Sequence, residues 1–161
     1  MIQSQLETYF HKYYQVCSRV AFAMVKNRAD AEDIAQEVLF RLFVYQPKFQ
    51  GEEHEKAWMI RTAMNLSKDL LKSKWHTSTI GMEDVPKAQQ PYFEEPFADG
   101  DDTLREGLEL PVRYRDCLYL FYYEDYSVRE IAGILEKPEN TVKTNLRRGR
   151  EALKQKLNER R

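Results

Sequence analysis

This chain of 161 residues is poor in several residue types whose abundance would mark a protein class. It has two cysteines, six glycines, six prolines and three histidines. Cys17 and Cys117 each lie in amphipathic surroundings with no Cys or His at ligand spacing, so buried free thiols are expected rather than a disulfide or a metal site. His11, His54 and His76 are scattered. No nucleophile, base and metal ligands converge, so no catalysis, metal, cofactor or small-molecule substrate is expected. No apolar run approaches the ~20 residues of a membrane-spanning helix. The start, MIQSQLETYF, lacks the basic head and apolar middle of a signal peptide, and a cytoplasmic location is expected. Few glycines beside 42% hydrophobic and 32% charged residues point to an all-α protein.

The charge that is present is unevenly spread. Residues 1–75 carry eleven cations and nine carboxylates, 76–103 one and seven, and 104–161 thirteen and ten. The acidic middle also holds three of the six prolines. The expected organisation is two small helical domains, 1–75 and 104–161, joined by an acidic flexible linker at 76–103. An ordered acidic loop docked through Tyr92, Phe93 and Phe97 over a basic face is the alternative.

In the first block, Tyr9, Phe10, Tyr13, Val16, Cys17, Val20, Ala21 and Met24 recur at helical spacing, with their aromatics expected in the core. A second helix follows, with Asp30 placed to cap it and Ala31, Ile34, Ala35, Val38, Leu39, Leu42 and Phe43 as its buried stripe. Its other face carries Glu32, Asp33, Gln36, Glu37 and Arg41. Carboxylates early in a helix suit its dipole, and they equally form an acidic patch for a partner. Pro47 ends this helix, and PKFQGEEHEK reads as a loop around Gly51. A third helix from Lys56 buries Met59, Ile60, Ala63, Met64, Leu66, Leu70 and Leu71. Its opposite arc presents Trp58, Arg61, Asn65, Lys68, Asp69 and Lys72. An aromatic, an amide and cations on one arc suit a single-stranded base and its backbone; the plainer reading is a wet face with Trp58 half-buried.

In the last block, Leu104–Leu110 and Val112–Tyr123 read as short helices, and the aromatic run YRDCLYLFYYEDYS as core. Then Ser127 and Glu130 stand at the spacing of a capping box before Ile131, Ile134 and Leu135. Pro138 breaks the pattern. A second helix is expected after Thr141, burying Val142, Leu146, Gly149, Leu153 and Leu157 and exposing Lys143, Arg147, Arg150 and Lys154, with Thr144 and Arg148 further round. Two short helices around a tight turn, the second cationic, make a helix-turn-helix fit for a DNA major groove. From Asn140 to Arg161 there are eight cations against two carboxylates.

In order and spacing, DAEDIAQEVLFRLF, then F-Q-G with a polar loop, then AWMIRTAMNLSKDLLKSK, then LPVRYRDCLYLFYYEDYSVREIAGILEKPENTVKTNLRRGREALKQKL resemble an extracytoplasmic-function sigma factor of bacterial RNA polymerase. The resemblance covers nearly all but the linker, and makes the first block region two and the last region four. It implies that Asp33, Gln36 and Glu37 contact core polymerase. It implies that Asn65, with Arg61, Lys68, Asp69, Lys72 and Trp58 and the loop Gln50–His54, captures an unstacked base of the promoter −10 element. It implies that Lys143, Thr144, Arg147 and Arg148 face the −35 element. Such factors are commonly restrained by an anti-sigma protein, for which the surface near Tyr122, Tyr123 and Tyr126 is available. The chain departs from the family at Glu136 and Asn140, where glycine is frequent. Glu52 and Glu53 leave the captured base open. A stand-alone helix-turn-helix regulator and a protein-only adaptor are the rival readings.

Overall fold

Apolar residues recurring every three or four positions leave this chain no periodicity but that of the helix. The computed structural model describes residues 3–79 and 109–159, and their regular structure is helical. The helices are α1 (Gln3–Val25), α2 (Arg28–Tyr45), α3 (Glu52–Thr79), α4 (Val112–Tyr122), α5 (Val128–Leu135) and α6 (Glu139–Glu159). The chain divides into two compact units, Met1–Glu95 and Pro96–Arg161. Among the described residues no helix is long and apolar enough to cross a membrane.

In the first unit α1, α2 and α3 pack on one another. α1 is buried on every side from Val20 to Val25, because α2 and α3 both lie against it. Cys17 is among its buried residues as a free thiol, as is Cys117 in the second unit. α1 closes at Lys26, whose φ of 58° is left-handed and whose amide returns to the Phe22 carbonyl at 2.9 Å. So short a turn puts the cap of α2 on Asn27, whose side chain accepts from the Asp30 amide at 3.0 Å. Asp30, expected as the cap, lies in the first turn, where its charge favours the dipole. Two aromatics expected in the core, Phe10 and Phe43, are exposed. Phe10 stacks on Tyr14 with 4.7 Å between ring centroids.

The loop after α2 is shorter than expected. Gln46 turns left-handed at φ 44°, Pro47 blocks continuation, and Gly51 at φ 143° adopts a conformation that costs glycine alone little. α3 therefore begins at Glu52, and Glu52–Lys56 belong to the helix instead of the loop. Met59, Ile60, Ala63 and Met64 are buried, each large one contributing about 1.5–3 kcal/mol of burial. Ser67 is buried too, its hydroxyl donating to the Ala63 carbonyl at 2.7 Å. Leu66, Leu70 and Leu71 are half-buried. α3 runs to Thr79, past the boundary drawn at residue 75. Residues 80–103 of the acidic segment, with Tyr92, Phe93 and Phe97, lie outside the described residues.

In the second unit, 104–108 of the short helix expected at Leu104–Leu110 also lie outside the described residues; Glu109 and Leu110 form a turn, with Leu110 buried. α4 buries Cys117, Leu118, Tyr119 and Leu120, but Tyr122 and Tyr123 of the aromatic run stay exposed. Arg115 is buried beside Asp116 and donates to the Leu110 carbonyl at 3.2 Å. Burial lowers its guanidinium's pKa, and the Asp116 charge opposes that shift.

α5 opens with the expected capping box. Ser127 Oγ accepts from the Glu130 amide at 3.1 Å, and the Glu130 carboxylate accepts from the Ser127 amide at 3.0 Å. It closes at Glu136, which is left-handed at φ 55° and ψ 47°. The Glu136 and Lys137 amides both return to the Ala132 carbonyl, a glycine-type helix ending built on a residue with a Cβ. Glu136→Gly is therefore expected to stabilise this unit by about 1 kcal/mol, the strain relieved exceeding the entropy glycine adds to the unfolded chain. A thermal melt a few degrees higher than the parent's would show it; a lower one would refute it.

α6 starts at Glu139, directly after Pro138, so Thr141 and Asn140 lie in its first turn rather than ahead of it. Asn140 has no need of a positive φ.

Candidate nucleic-acid interface

The helix-turn-helix is α5, the Glu136–Pro138 turn and α6. The inner face of α6 holds Val142, Leu146 and Gly149, all buried, with Leu153 and Leu157 half-buried. Gly149 lies against α4 so closely that a Cβ there would stand 3.0 Å from Leu118 Cδ1 and 3.2 Å from Tyr114 Cβ. With that face sealed, Lys143, Arg147 and Arg148 project into solvent, and Thr144 is half-exposed beside them. The four expected residues share the outer side of the first turns of α6. Asn145, which the periodicity left unassigned, is buried.

Arg150 differs from its neighbours. It donates to the Tyr122 hydroxyl at 3.2 Å and lies over the Phe121 ring, 5.9 Å from its centroid. It clamps α6 to α4, so its exposure in the sequence pattern overstated its freedom.

In the first unit, Asn65, Asp69 and Lys72 are exposed along one arc of α3, and Trp58, Arg61 and Lys68 are half-buried on the same arc. The loop before α3 is braced against it. The Gln50 amide donates to His54 Nδ1 at 3.0 Å. The Phe49 ring meets His54 edge-on at 5.5 Å and Trp58 at 5.9 Å. Trp58 therefore holds loop and helix together, half-buried as in the plainer reading of the sequence.

On α2, Asp33, Gln36 and Glu37 are exposed on the outer face. Glu37 pairs with Arg41 at 3.2 Å, and Glu32 with Arg28 at 2.9 Å, exposed i,i+4 pairs of about 0.3–0.5 kcal/mol each. Phe40 and Val44 continue the stripe of Asp33, Gln36 and Glu37 at helical spacing and are 60% and 51% exposed. Their i,i+4 spacing outside the buried stripe is the signal in the sequence that marks both. An acidic helix face that turns apolar within two turns has the make-up of a protein-docking surface.

Against known proteins, residues 9–77 match the family model described as Sigma-70 region 2, and residues 108–153 that described as Sigma-70, region 4. The ECF RNA polymerase sigma factor SigW of Bacillus subtilis (strain 168) is 33% identical over 165 residues, covering 94% of this chain and 86% of that protein. RNA polymerase sigma factor SigV of the same organism is 31% identical over 134 residues, covering 81% and 77%. Among solved structures, the sigma factor RpoE in complex with the anti-sigma factor NepR from Bartonella quintana has a TM-score of 0.74 at 17% identity, covering 96% of this chain and 97% of that one, a likeness of fold.

Proposed function

Since the chain belongs to the extracytoplasmic-function sigma factors of bacterial RNA polymerase, we propose that its two units divide one promoter between them. The N-terminal domain, 1–75 with the rest of α3, docks on core polymerase through Asp33, Gln36 and Glu37, extended by Phe40 and Val44. Its α3 arc, centred on Asn65 with Arg61, Lys68, Asp69, Lys72 and Trp58 around it, and the Gln50–His54 segment at the start of α3 take an unstacked base from the −10 element and so assist melting. The C-terminal domain, 104–161, lays α6 along the −35 duplex through Lys143, Thr144, Arg147 and Arg148.

The observation that carries this reading is the outer side of α6, where exposed cations stand over a sealed apolar face. Unstacking a base costs a few kcal/mol, which a fitted pocket offsets. Two modest DNA surfaces on one chain, joined by the acidic segment 76–103, raise each other's effective concentration once polymerase is bound, so neither need bind tightly alone. The chain supplies binding and positioning while polymerase supplies the chemistry, in the cytoplasm where core enzyme and chromosome meet. An anti-sigma protein is a further partner of this reading.

The test is to add the purified chain to core polymerase and a promoter library. Initiation from defined start sites that depends on the chain is expected. Core binding without such initiation would sink the reading, and sequence-specific retention of duplex without polymerase would favour a stand-alone regulator.

A further inference from the structure

The first turn of α3 is tied to α1 by a cluster that borders the Gln50–His54 segment. Glu55, whose side chain is 14% exposed, faces three donors from α1. Its Oε1 accepts from the Tyr13 hydroxyl. Its Oε2 accepts from the Tyr9 hydroxyl at 3.4 Å, and Lys12 Nζ stands 3.3 Å from Oε1. Lys12 also pairs with Glu52 at 2.9 Å. The Tyr9 and Tyr13 rings stack with 6.2 Å between centroids.

A carboxylate in the first turn favours the helix dipole, but Glu52 and Glu53 supply that charge from solvent without any desolvation. The dipole therefore does not account for a third carboxylate pressed between helices. Such a group is costly unless its lone pairs are satisfied, and here they are satisfied from another helix. Burial first, then the hydrogen bond to Glu55, pushes the Tyr13 phenol up, so it keeps its proton and donates. Burial and the Glu55 charge push Tyr9 in the same direction.

The cluster's neighbour in sequence gives it a role. His54, one residue before Glu55 and about 100° round the helix, accepts from the Gln50 amide and packs on Phe49. Consecutive residues thus fasten the loop to α3 and α3 to α1. We propose that the Tyr9–Lys12–Tyr13–Glu55 cluster is a positioning device that fixes the Gln50–His54 segment, the turn at Gly51 and the first turn of α3, for one unstacked base, so that Glu55 and Tyr13 govern −10 base selectivity without touching DNA. This rests on the reading of that loop and Asn65 as the base-capturing surface. A pocket that discriminates bases by hydrogen bonds must be held to a fraction of an ångström, and the Gln50–Gly51 turn that leads into α3 has little stiffness of its own.

The experiment uses holoenzyme reconstituted from core polymerase and the full chain, on a promoter library randomised across the −10 and −35 elements, with transcripts sequenced. Glu55→Leu is expected to lower the ratio of preferred to disfavoured base at one −10 position about tenfold, the scale of a small misplacement of a reacting or binding group. Glu55→Gln and Tyr13→Phe, which keep part of the cluster, are expected to fall between Glu55→Leu and the parent. Preference at the −35 positions and affinity for core polymerase should not change. A purely structural role would lower the melting temperature and leave the base ratio alone. If Asn65→Ala flattens the −10 preference while Glu55→Leu and Tyr13→Phe do not, the positioning role is wrong and the base-capture reading stands. If none of the three flattens it, the base-capture reading fails and takes the positioning role with it. Equal flattening at −10 and −35 also overturns the proposal. Should Glu55→Leu fail to fold, Tyr13→Phe and Glu55→Gln decide by the same ratios.

Discussion

Gly149→Leu is expected to destabilise the C-terminal unit by about 3 kcal/mol while leaving the N-terminal one intact. At Gly149 even a Cβ would meet Leu118 Cδ1 at 3.0 Å, Leu118 Cγ at 3.3 Å and Tyr114 Cβ at 3.2 Å. Leucine adds three more carbons in the direction of α4, and overpacking of that kind costs about 3 kcal/mol or more. A helical unit of this size is stable by only on the order of 5 kcal/mol, so most of that margin disappears. Gly149→Ala should be close to neutral. Alanine gains about 1 kcal/mol of helix propensity, which offsets the cost of moving α4 by a few tenths of an ångström at Tyr114 Cβ, while the flexible end of Leu118 gives way. Hydrogen exchange resolved along the chain would separate the units: exchange in α4–α6 faster by about a hundredfold, with that in α1–α3 unchanged, is the expected result. Exchange in α4–α6 as slow as the parent's with leucine in place would show that the packing of α4 on α6 is not the tight one described.

The double variant Arg147→Ala/Arg148→Ala is expected to reduce initiation at −35-dependent promoters by at least about tenfold and to lower the slope of log binding against log salt by about 2, one unit for each phosphate no longer neutralised. Both side chains are exposed on the outer side of α6, within a turn of Lys143 and Thr144. The single variants divide the two roles. An arginine paired with a guanine edge loses about 1–3 kcal/mol at sites carrying that base and little elsewhere. One that neutralises phosphate weakens all sites alike. Arg150→Ala is the contrast, since its guanidinium is engaged with Tyr122 and Phe121. It should act through stability instead of salt slope. An unchanged slope in the double variant would remove α6 from the promoter.

Where sequence reading erred, it erred on contacts made across the fold. Asp30 and Asn27 are both competent caps, and the choice fell to Asn27 because Lys26 turns left-handed and only Asn27 stands between it and α2. Phe10, Phe43, Tyr122 and Tyr123 look like core residues by type and spacing, yet stand at the margins of buried arcs whose width depends on how many helices lie against them. In sequence Glu55 reads as part of a polar loop. Its partners Tyr9 and Tyr13 are 46 and 42 positions away, and no local pattern announces such a meeting. Phe40 and Val44 are legible, at i,i+4 outside the buried stripe and beside the acidic residues of the same face.

The order of residues alone determined the all-helical character, the Ser127–Glu130 capping box, the break at Pro138, the inner face of α6 and the cationic side opposite it. Each of these arises from neighbours within about four positions, where helical geometry and backbone sterics leave few choices. The tertiary structure decided the tie of Glu55 to α1, the brace of Phe49 and His54 on Trp58, the capture of Arg150 by α4 and the pressure on Gly149. Those depend on which helices meet and how closely, and close packing converts small differences in approach into which groups are left free.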